Sequence, residues 1–337
     1  MKIIPIVIVA ALVFGGLVYF TSTNAETDGE MAIYYDDYLT FSEFEKDPAA
    51  AAGTLSLTSI QGIPYVHAND VGEGKIIYSD GSEQVFDVQK ANLDIYMIAG
   101  QSNAEYRPNY TDPSKIDVKL GTAYYYGTPT RPAGISQDAN TYEIHSMVNL
   151  NTGVSIVGGL DAPLAAGIVE LTGHKVLTIN VAVGGSSILT WLPGATNYLR
   201  AQNLVDDALS QIDRDKFVTT VKDYVWIQGE ADDYMSVSTY KANFLTVHSS
   251  FTTTNEFSSE PLQYALIVKV QAIQGQNASI AHQQLPAMSD TILLASTITD
   301  TFTVENQLLG PDGLHYTQAG HILVANEILE TIGEMRL

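Results

Sequence analysis

The sequence predicts an α/β fold in which a parallel sheet is covered by helices on both faces. Two patterns predict it. From residue 93 onward, apolar strand-like runs alternate with helix-like runs, the order that a parallel sheet requires because each crossover is a helix. Three of those runs also end in polar, glycine-containing turns, at the strand ends where open α/β sheets bind ligands. The 337 residues are 45% hydrophobic, enough for one large core or for one core with an appendage.

Taken in order, Lys2 is followed by residues 3–20, which carry no charged or amide side chain. Such a run is long enough for a helix across a bilayer, so residues 1–24 are expected to form an apolar helix. Thr23-Asn24-Ala25 offers the small-residue pattern of a cleaved secretory signal, while the length of the run favours an uncleaved membrane anchor. Packing of this helix into a filament is a third reading, without a pilin-type processing site to support it. The first two readings put the body outside the cytoplasm, at the cell surface or secreted. Asn109-Tyr110-Thr111 and Asn277-Ala278-Ser279 have the form of glycosylation acceptors.

Residues 25–91 read as a small β-rich appendage. Asp80-Gly81 is a hairpin signal between the runs 74–79 and 83–88. Residues 55–65 alternate weakly, broken by Gly62 and Pro64, and Asp47-Pro48 with its alanines is open between loop and short helix.

Residues 92–337 carry the alternating pattern. Strands are expected at 93–99, 154–157, 176–183, 224–227, 264–270 and 292–296. Asp161 is placed to N-cap a helix that Gly173 stops. Residues 199–212 put Leu204, Leu209 and Ile212 on one face, and Thr317 caps a final helix in which Ile322, Ala325, Leu329 and Ile332 recur at helical spacing.

Charge narrows the partners. The formal net charge is -22, from 38 acids against 16 bases, and such a surface repels phosphate backbones, which excludes nucleic acid as a partner. There is no cysteine, so disulfides, thiolate zinc sites and a cysteine nucleophile are excluded.

The chemistry lies in four segments. Ser102 follows the run 93–99 in Gly100-Gln101-Ser102-Asn103; Gly184-Gly185-Ser186 and Gln228-Gly229-Glu230 follow two further runs; Asp312-Gly313-Leu314-His315 precedes the last helix. A serine hydroxyl is a weak nucleophile until a base takes its proton. His315 is the expected base, and Asp312, three residues back across a tight turn, the group that orients it. The tetrahedral oxyanion of ester cleavage needs fixed donors, and the expected ones are the backbone N–H groups of Ser102 and Gly185 and the Gln228 side-chain amide.

With these residues the chain resembles the SGNH (GDSL-like) hydrolase superfamily, most closely its sialate O-acetylesterase-like branch, which includes acetylxylan esterases. The matches are Gly100-Gln101-Ser102-Asn103, the segment 183–188 with Trp191 after it, Trp226-Ile227-Gln228-Gly229-Glu230, and the Asp312 to His315 turn. Any one is weak; four in order are specific. The resemblance implies a three-layer α/β/α sandwich with a short, flavodoxin-like parallel sheet and removal of acetyl groups from carbohydrate hydroxyls. Ile227 and the run Ala104-Glu105-Tyr106-Arg107 depart from the family pattern near the acyl or sugar pocket, which leaves the substrate class open.

Plainer readings stand beside these. Gly-x-Ser alone is a turn. Asn103, Gly184 and Glu230 are placed in the second shell or pocket, Glu230 as a hydrogen-bonding brace of the Gln228 turn. Trp191 is equally a sugar platform or core filling. Asp232-Asp233 and Asp36-Asp37 read as solvated charge, and the Tyr124-Tyr125-Tyr126 run as a half-buried strand or loop wall. His321 reads as a helix-surface residue; His67, His145, His174, His248 and His282 show no partner pattern. The expectation is an extracytoplasmic serine esterase acting on an acetylated glycan or other small ester, with no metal or cofactor required and with membrane attachment through the N-terminal helix. The alternative is a surface or filament-forming subunit, self-assembled through that helix and carrying a hydrolase-fold head; a lipase of the same superfamily is a third reading.

Overall fold

Six parallel strands form the centre of the molecule: β1 (Ala91–Gly100), β2 (Ala123–Thr128), β3 (Lys175–Asn180), β4 (Phe217–Ile227), β5 (Ala265–Val268) and β6 (Ile292–Ser296), hydrogen-bonded in the order β2-β3-β1-β4-β5-β6. The computed structural model that shows this describes residues 10–14, 17–21 and 31–336, except 106, 108, 130, 133–141, 255 and 273–275. From β1 the chain runs out to β2, returns to β3 beside β1, then crosses to β4 on the other side. The connections therefore diverge at β1, the position where a parallel sheet opens a crevice at its carboxyl edge. Two short antiparallel segments also pair with β2, Glu143–Ser146 along its outer side and Arg131–Pro132 at its carboxyl end.

Alternation along β1 builds the two outer layers. Leu93, Ile95, Met97 and Ala99 face one core, which they share with Ala201 and Leu204 of α2 (Thr196–Ser210), Phe244 and Val247 of α3 (Val237–Thr252) and Ala278 of α4 (Gln276–Gln284). Tyr96 and Ile98 face the other, with Leu164 and Ile168 of α1 (Asp161–Thr172) and Val324 and Ile328 of α5 (Gln318–Arg336). Each of the leucine, isoleucine, valine, methionine and phenylalanine side chains contributes about 1.5–3 kcal/mol on full burial, whereas an exposed ion pair contributes at most about 1 kcal/mol. Packing on both faces of the sheet, not the acidic surface, therefore holds the fold.

Several local expectations need adjusting. Asp161 is the first helical residue rather than the cap, which is Leu160; Gly173 ends α1 in the left-handed conformation at φ 71°. Val154–Ser155 is a two-residue strand paired with Val148–Asn149, outside the main sheet. The tyrosine run is a central part of β2, and Tyr124, Tyr125 and Tyr126 are all buried.

Within residues 31–90, two small sheets share one core. One orders Ile33–Tyr34, Glu83–Gln89, Gly72–Tyr78 and Pro48–Gly53; the other orders Tyr38–Thr40, Ile63–Ala68 and Leu55–Ile60. Ile33, Leu55, Val66, Ile76, Phe86 and Val88 are buried between them. Asp80-Gly81 turns the expected hairpin, with Gly81 at φ 83°. Asp36 and Asp37 are not solvated charge: Asp36 accepts from Tyr124 Oη at 2.5 Å and pairs with His67 at 2.8 Å, and Asp37 accepts from Lys175 Nζ at 2.9 Å. They fasten this unit to β2 and β3.

The expected apolar helix over residues 1–24 is not observed. Residues 1–9, 15–16 and 22–24 lie outside the described residues, and Ala10–Phe14 pairs antiparallel with Leu17–Thr21. Among the described residues no helix is long and apolar enough to cross a membrane.

Candidate active site

Three of the four sequence segments meet at the carboxyl edge of β1, β3 and β4. Gly100 ends β1 at φ 132°, and a Cβ there would lie 2.0 Å from Ile227 O, so only glycine allows β1 and β4 to stay this close. The chain then closes one helical turn, with Ala104 N and Glu105 N donating to Gln101 O at 2.9 and 3.0 Å. Ser102 sits in that turn and is 6% exposed. Asn180 at the end of β3 supports it from behind. Its Nδ2 donates to Ala104 O at 2.9 Å and to Asp161 Oδ2 at 2.8 Å.

The fourth segment arrives from before α5. His315 Nδ1 and Asp312 Oδ2 are 2.6 Å apart. Asp312 Oδ1 also accepts from the backbone N–H groups of Leu314 and His315 at 3.0 and 3.1 Å, which folds the carboxylate back beside the ring as the three-residue spacing suggests. Partial burial would raise the Asp312 pKa; the hydrogen bonds from His315, Leu314 and Tyr110 outweigh it and hold the carboxyl well below the usual range. Tyr110 carries no sequence signal, yet its hydroxyl donates to Asp312 Oδ2 at 2.8 Å and its ring lies 5.3 Å from that of His315.

Asn103 joins the two segments. Its Oδ1 accepts from Tyr316 N at 3.0 Å, and its Nδ2 donates to Leu314 O at 3.3 Å and Glu230 Oε1 at 3.0 Å. The residue after Ser102 thus grips the chain on both sides of His315. No hydrogen bond joins Ser102 Oγ to His315 among the described contacts, so the structure closes the His315–Asp312 half of the expected line and brings Ser102 to its neighbour. Burial raises the Glu230 pKa against the bond from Asn103 and the proximity of His315, and Glu230 Oε2 is buried without a partner.

Gly185 adopts φ 67° and a Cβ there would meet nothing within 4 Å. Backbone conformation, rather than crowding, selects glycine, and the position faces open space. Gly184 is the crowded neighbour, 2.6 Å from Arg107 Nη2 and 2.8 Å from Glu105 Oε2 at its hypothetical Cβ. Among the described contacts, neither Ser102 N nor Gly185 N donates to a backbone acceptor.

Gln228 is placed differently from expectation. It is fully buried, and its Nε2 donates to Ser186 O at 3.0 Å and to Asp232 Oδ2. Its Oε1 accepts from Tyr240 Oη at 2.8 Å. Two carbonyl-type acceptors around one end fix the amide's orientation and use both N–H bonds. In this arrangement Gln228 has no donor left for an oxyanion and braces the floor of the site. Asp232, expected to be solvated, is the buried centre of that brace, accepting also from Ser187 Oγ and from Ile188 N at 2.7 Å. Gln101 ties in the same turn, its Oε1 accepting from Ala231 N at 3.2 Å. Trp191 fills the core: it is 0% exposed, packs edge-on against Trp226 at 5.5 Å and donates to Ser186 Oγ at 3.0 Å. His321 is also buried, which lowers its pKa to about 4 and removes it from the helix surface.

The family described as carbohydrate esterase, sialic acid-specific acetylesterase matches residues 92–333. The chain belongs to this family. It is a carboxylic ester hydrolase, and the matched span takes in all four segments. Among solved structures the esterase is similar to a protein of Arabidopsis thaliana, at 16% identity and a TM-score of 0.49 over 73% of this chain and 99% of that one. It is similar to NanS at 12% identity and 0.47, over 74% and 99%. It is also similar to XAC1771, a carbohydrate acetylesterase from Xanthomonas citri, at 15% identity and 0.47, over 88% and 71%. No curated protein matches it.

Proposed function

We propose that this esterase removes O-acetyl groups from carbohydrate through a Ser102-His315-Asp312 relay. The observation that carries the reading is the His315–Asp312 pair at 2.6 Å, held by Asn103 in the loop beside Ser102. Ser102 Oγ attacks the acetyl carbonyl carbon while its proton passes to the free nitrogen of His315. Asp312, kept ionised by its hydrogen bonds, stabilises the resulting imidazolium. The oxyanion takes the backbone N–H groups of Ser102 and Gly185. Collapse expels the sugar oxygen, which receives the proton from His315 and leaves an acetyl-Ser102 ester. Water then attacks that ester, its proton going to His315, and acetate departs as the proton returns to Ser102. Catalytic hydrogen bonds are often long before substrate binds and tighten in the Michaelis complex, which is the movement required of the Ser102 hydroxyl.

The test is acetate release by the full chain from O-acetylated sialic acid, acetylated xylan and 4-nitrophenyl acetate, beside 4-nitrophenyl palmitate. Release of acetate from at least one glycan supports the reading; turnover of palmitate alone overturns it. A site of action outside the cytoplasm rests on the apolar run 3–20. Protease added to intact cells should then remove the enzyme, and full protection would contradict that location.

A further inference from the structure

One cavity lies away from Ser102. It has a volume of about 340 Å³ and lies between the residue 31–90 unit and the sheet, with Tyr35, Asp36, Tyr38, Tyr124, Asp213 and Phe217 among its lining. Leu93 and Phe217 place it at the amino ends of β1 and β4, opposite the catalytic edge. Ser102 follows Leu93 by nine positions, which at strand rise puts the two sites on the order of 25 Å apart.

The walls are pre-organised. A Cβ on Gly121 would lie 1.8 Å from Asp36 O, so the Asp36 turn is pressed against the sheet. Lys175 Nζ, 5% exposed, donates to Gly121 O at 2.6 Å and to Asp37 at 2.9 Å, and Tyr124 Oη donates to Asp36. The Tyr38 ring stacks on His67 at 4.1 Å, and Tyr35 stands edge-on to Phe217 at 5.2 Å. Two donors remain unused: among the described residues neither the Tyr35 nor the Tyr38 hydroxyl has a hydrogen-bond partner. Both keep their protons, since burial, followed by the Asp36 charge, pushes Tyr38 up to about 12 and raises Tyr35 in the same way. Asp36 and Asp213 supply acceptors, with Lys216 Nζ beside them, 3.9 Å from Asp213 and 5.0 Å from the centre of the Tyr35 ring.

Aromatic walls, free hydroxyl donors and carboxylate acceptors in a pocket of this size match an uncharged, polyhydroxylated ring. We propose that this cavity is a second, non-catalytic site that binds a neutral sugar unit and holds a glycan chain on the enzyme. The site is independent of which ester is cleaved.

Isothermal titration of the full-length Ser102→Ala variant with unacetylated xylohexaose, cellohexaose and mannohexaose, and with choline as a cationic probe, tests it. At least one hexaose should bind with a Kd of about 0.1–1 mM. Tyr38→Phe and Tyr35→Phe should each weaken that binding about 3–10-fold, and Tyr38→Ala more than tenfold. In the otherwise wild-type chain, the same tyrosine substitutions should leave 4-nitrophenyl acetate hydrolysis within twofold, which also reports intact folding. No hexaose binding at about ten times that Kd, binding that ignores all three substitutions, or a preference for choline would each overturn the proposal.

Discussion

Asn103 Oδ1 accepts a hydrogen bond from the backbone N–H of Tyr316 at 3.0 Å, while Asn103 Nδ2 reaches Leu314 O at 3.3 Å. One side chain next to the nucleophile therefore sets the position of the chain that carries the base, across more than 200 residues of sequence. Asn103→Ala should lower kcat by about 10–100-fold through misplacement of His315, with a much smaller change in KM. Steady-state kinetics on an acetyl ester check the split; an unchanged kcat would show that the His315 loop finds its place without Asn103.

Asp312→Asn should reduce kcat by about 10²–10⁴-fold, because an amide neither stabilises the imidazolium nor selects the required tautomer. Tyr110 shares Asp312 Oδ2 with His315, so Tyr110→Phe should cost less than about tenfold. Equal losses in the two variants would assign Tyr110 a direct role in the reaction.

Gln228 separates two roles by two readouts. As a buried brace its removal leaves Asp232, Ser186 O and Tyr240 short of partners, so Gln228→Ala should destabilise the fold by about 2–4 kcal/mol in urea denaturation. A stable Gln228→Ala enzyme with kcat down about 10²–10³-fold would instead return Gln228 to the oxyanion hole.

Burial raises the carboxyl groups of Asp161 and Asp223 to about 6. The folded state then binds protons more tightly than the unfolded chain between about pH 4 and pH 6. Their contribution to stability is fully present below about pH 4 and is lost as pH rises through about 6. Asp161→Asn keeps a hydrogen-bonding group between Thr178 and Asn180 and removes the titration, so its urea midpoint should fall less than that of the wild-type chain between pH 4.5 and 7 (about one buried carboxyl's share). Parallel curves would show that Asp161 does not titrate in this interval.

The sequence made strands legible where an apolar run was bounded by polar turns: 292–296 is β6 as expected, and β1 and β5 differ only at their ends. It left β2 open between strand and loop wall, because Tyr124, Tyr125 and Tyr126 are buried on both faces and show no alternation. It hid α3, whose buried face of Tyr240, Phe244, Val247 and Phe251 is interrupted by His248 and Ser250. The site was legible in its residues and less so in their roles. Ser102, Gly185 and the Asp312–His315 turn carry their chemistry in residue type and spacing. Which acceptors surround the Gln228 amide, and that Asp232 is buried and Asp36 half-buried and paired, depends on contacts between segments far apart in sequence. Hydropathy and length do not distinguish a helix from a paired hairpin in the run Ile3 to Phe20, of which Ala10–Phe14 and Leu17–Thr21 are paired strands.

The most direct measurement of the central claim is acetate release from an O-acetylated glycan by the full chain and by Ser102→Ala, with mass spectrometry of the quenched wild-type enzyme. The account predicts a loss of at least about 10³-fold in the variant and an acetyl group trapped on the Ser102 peptide. A Ser102→Ala enzyme that releases acetate at the wild-type rate would contradict it.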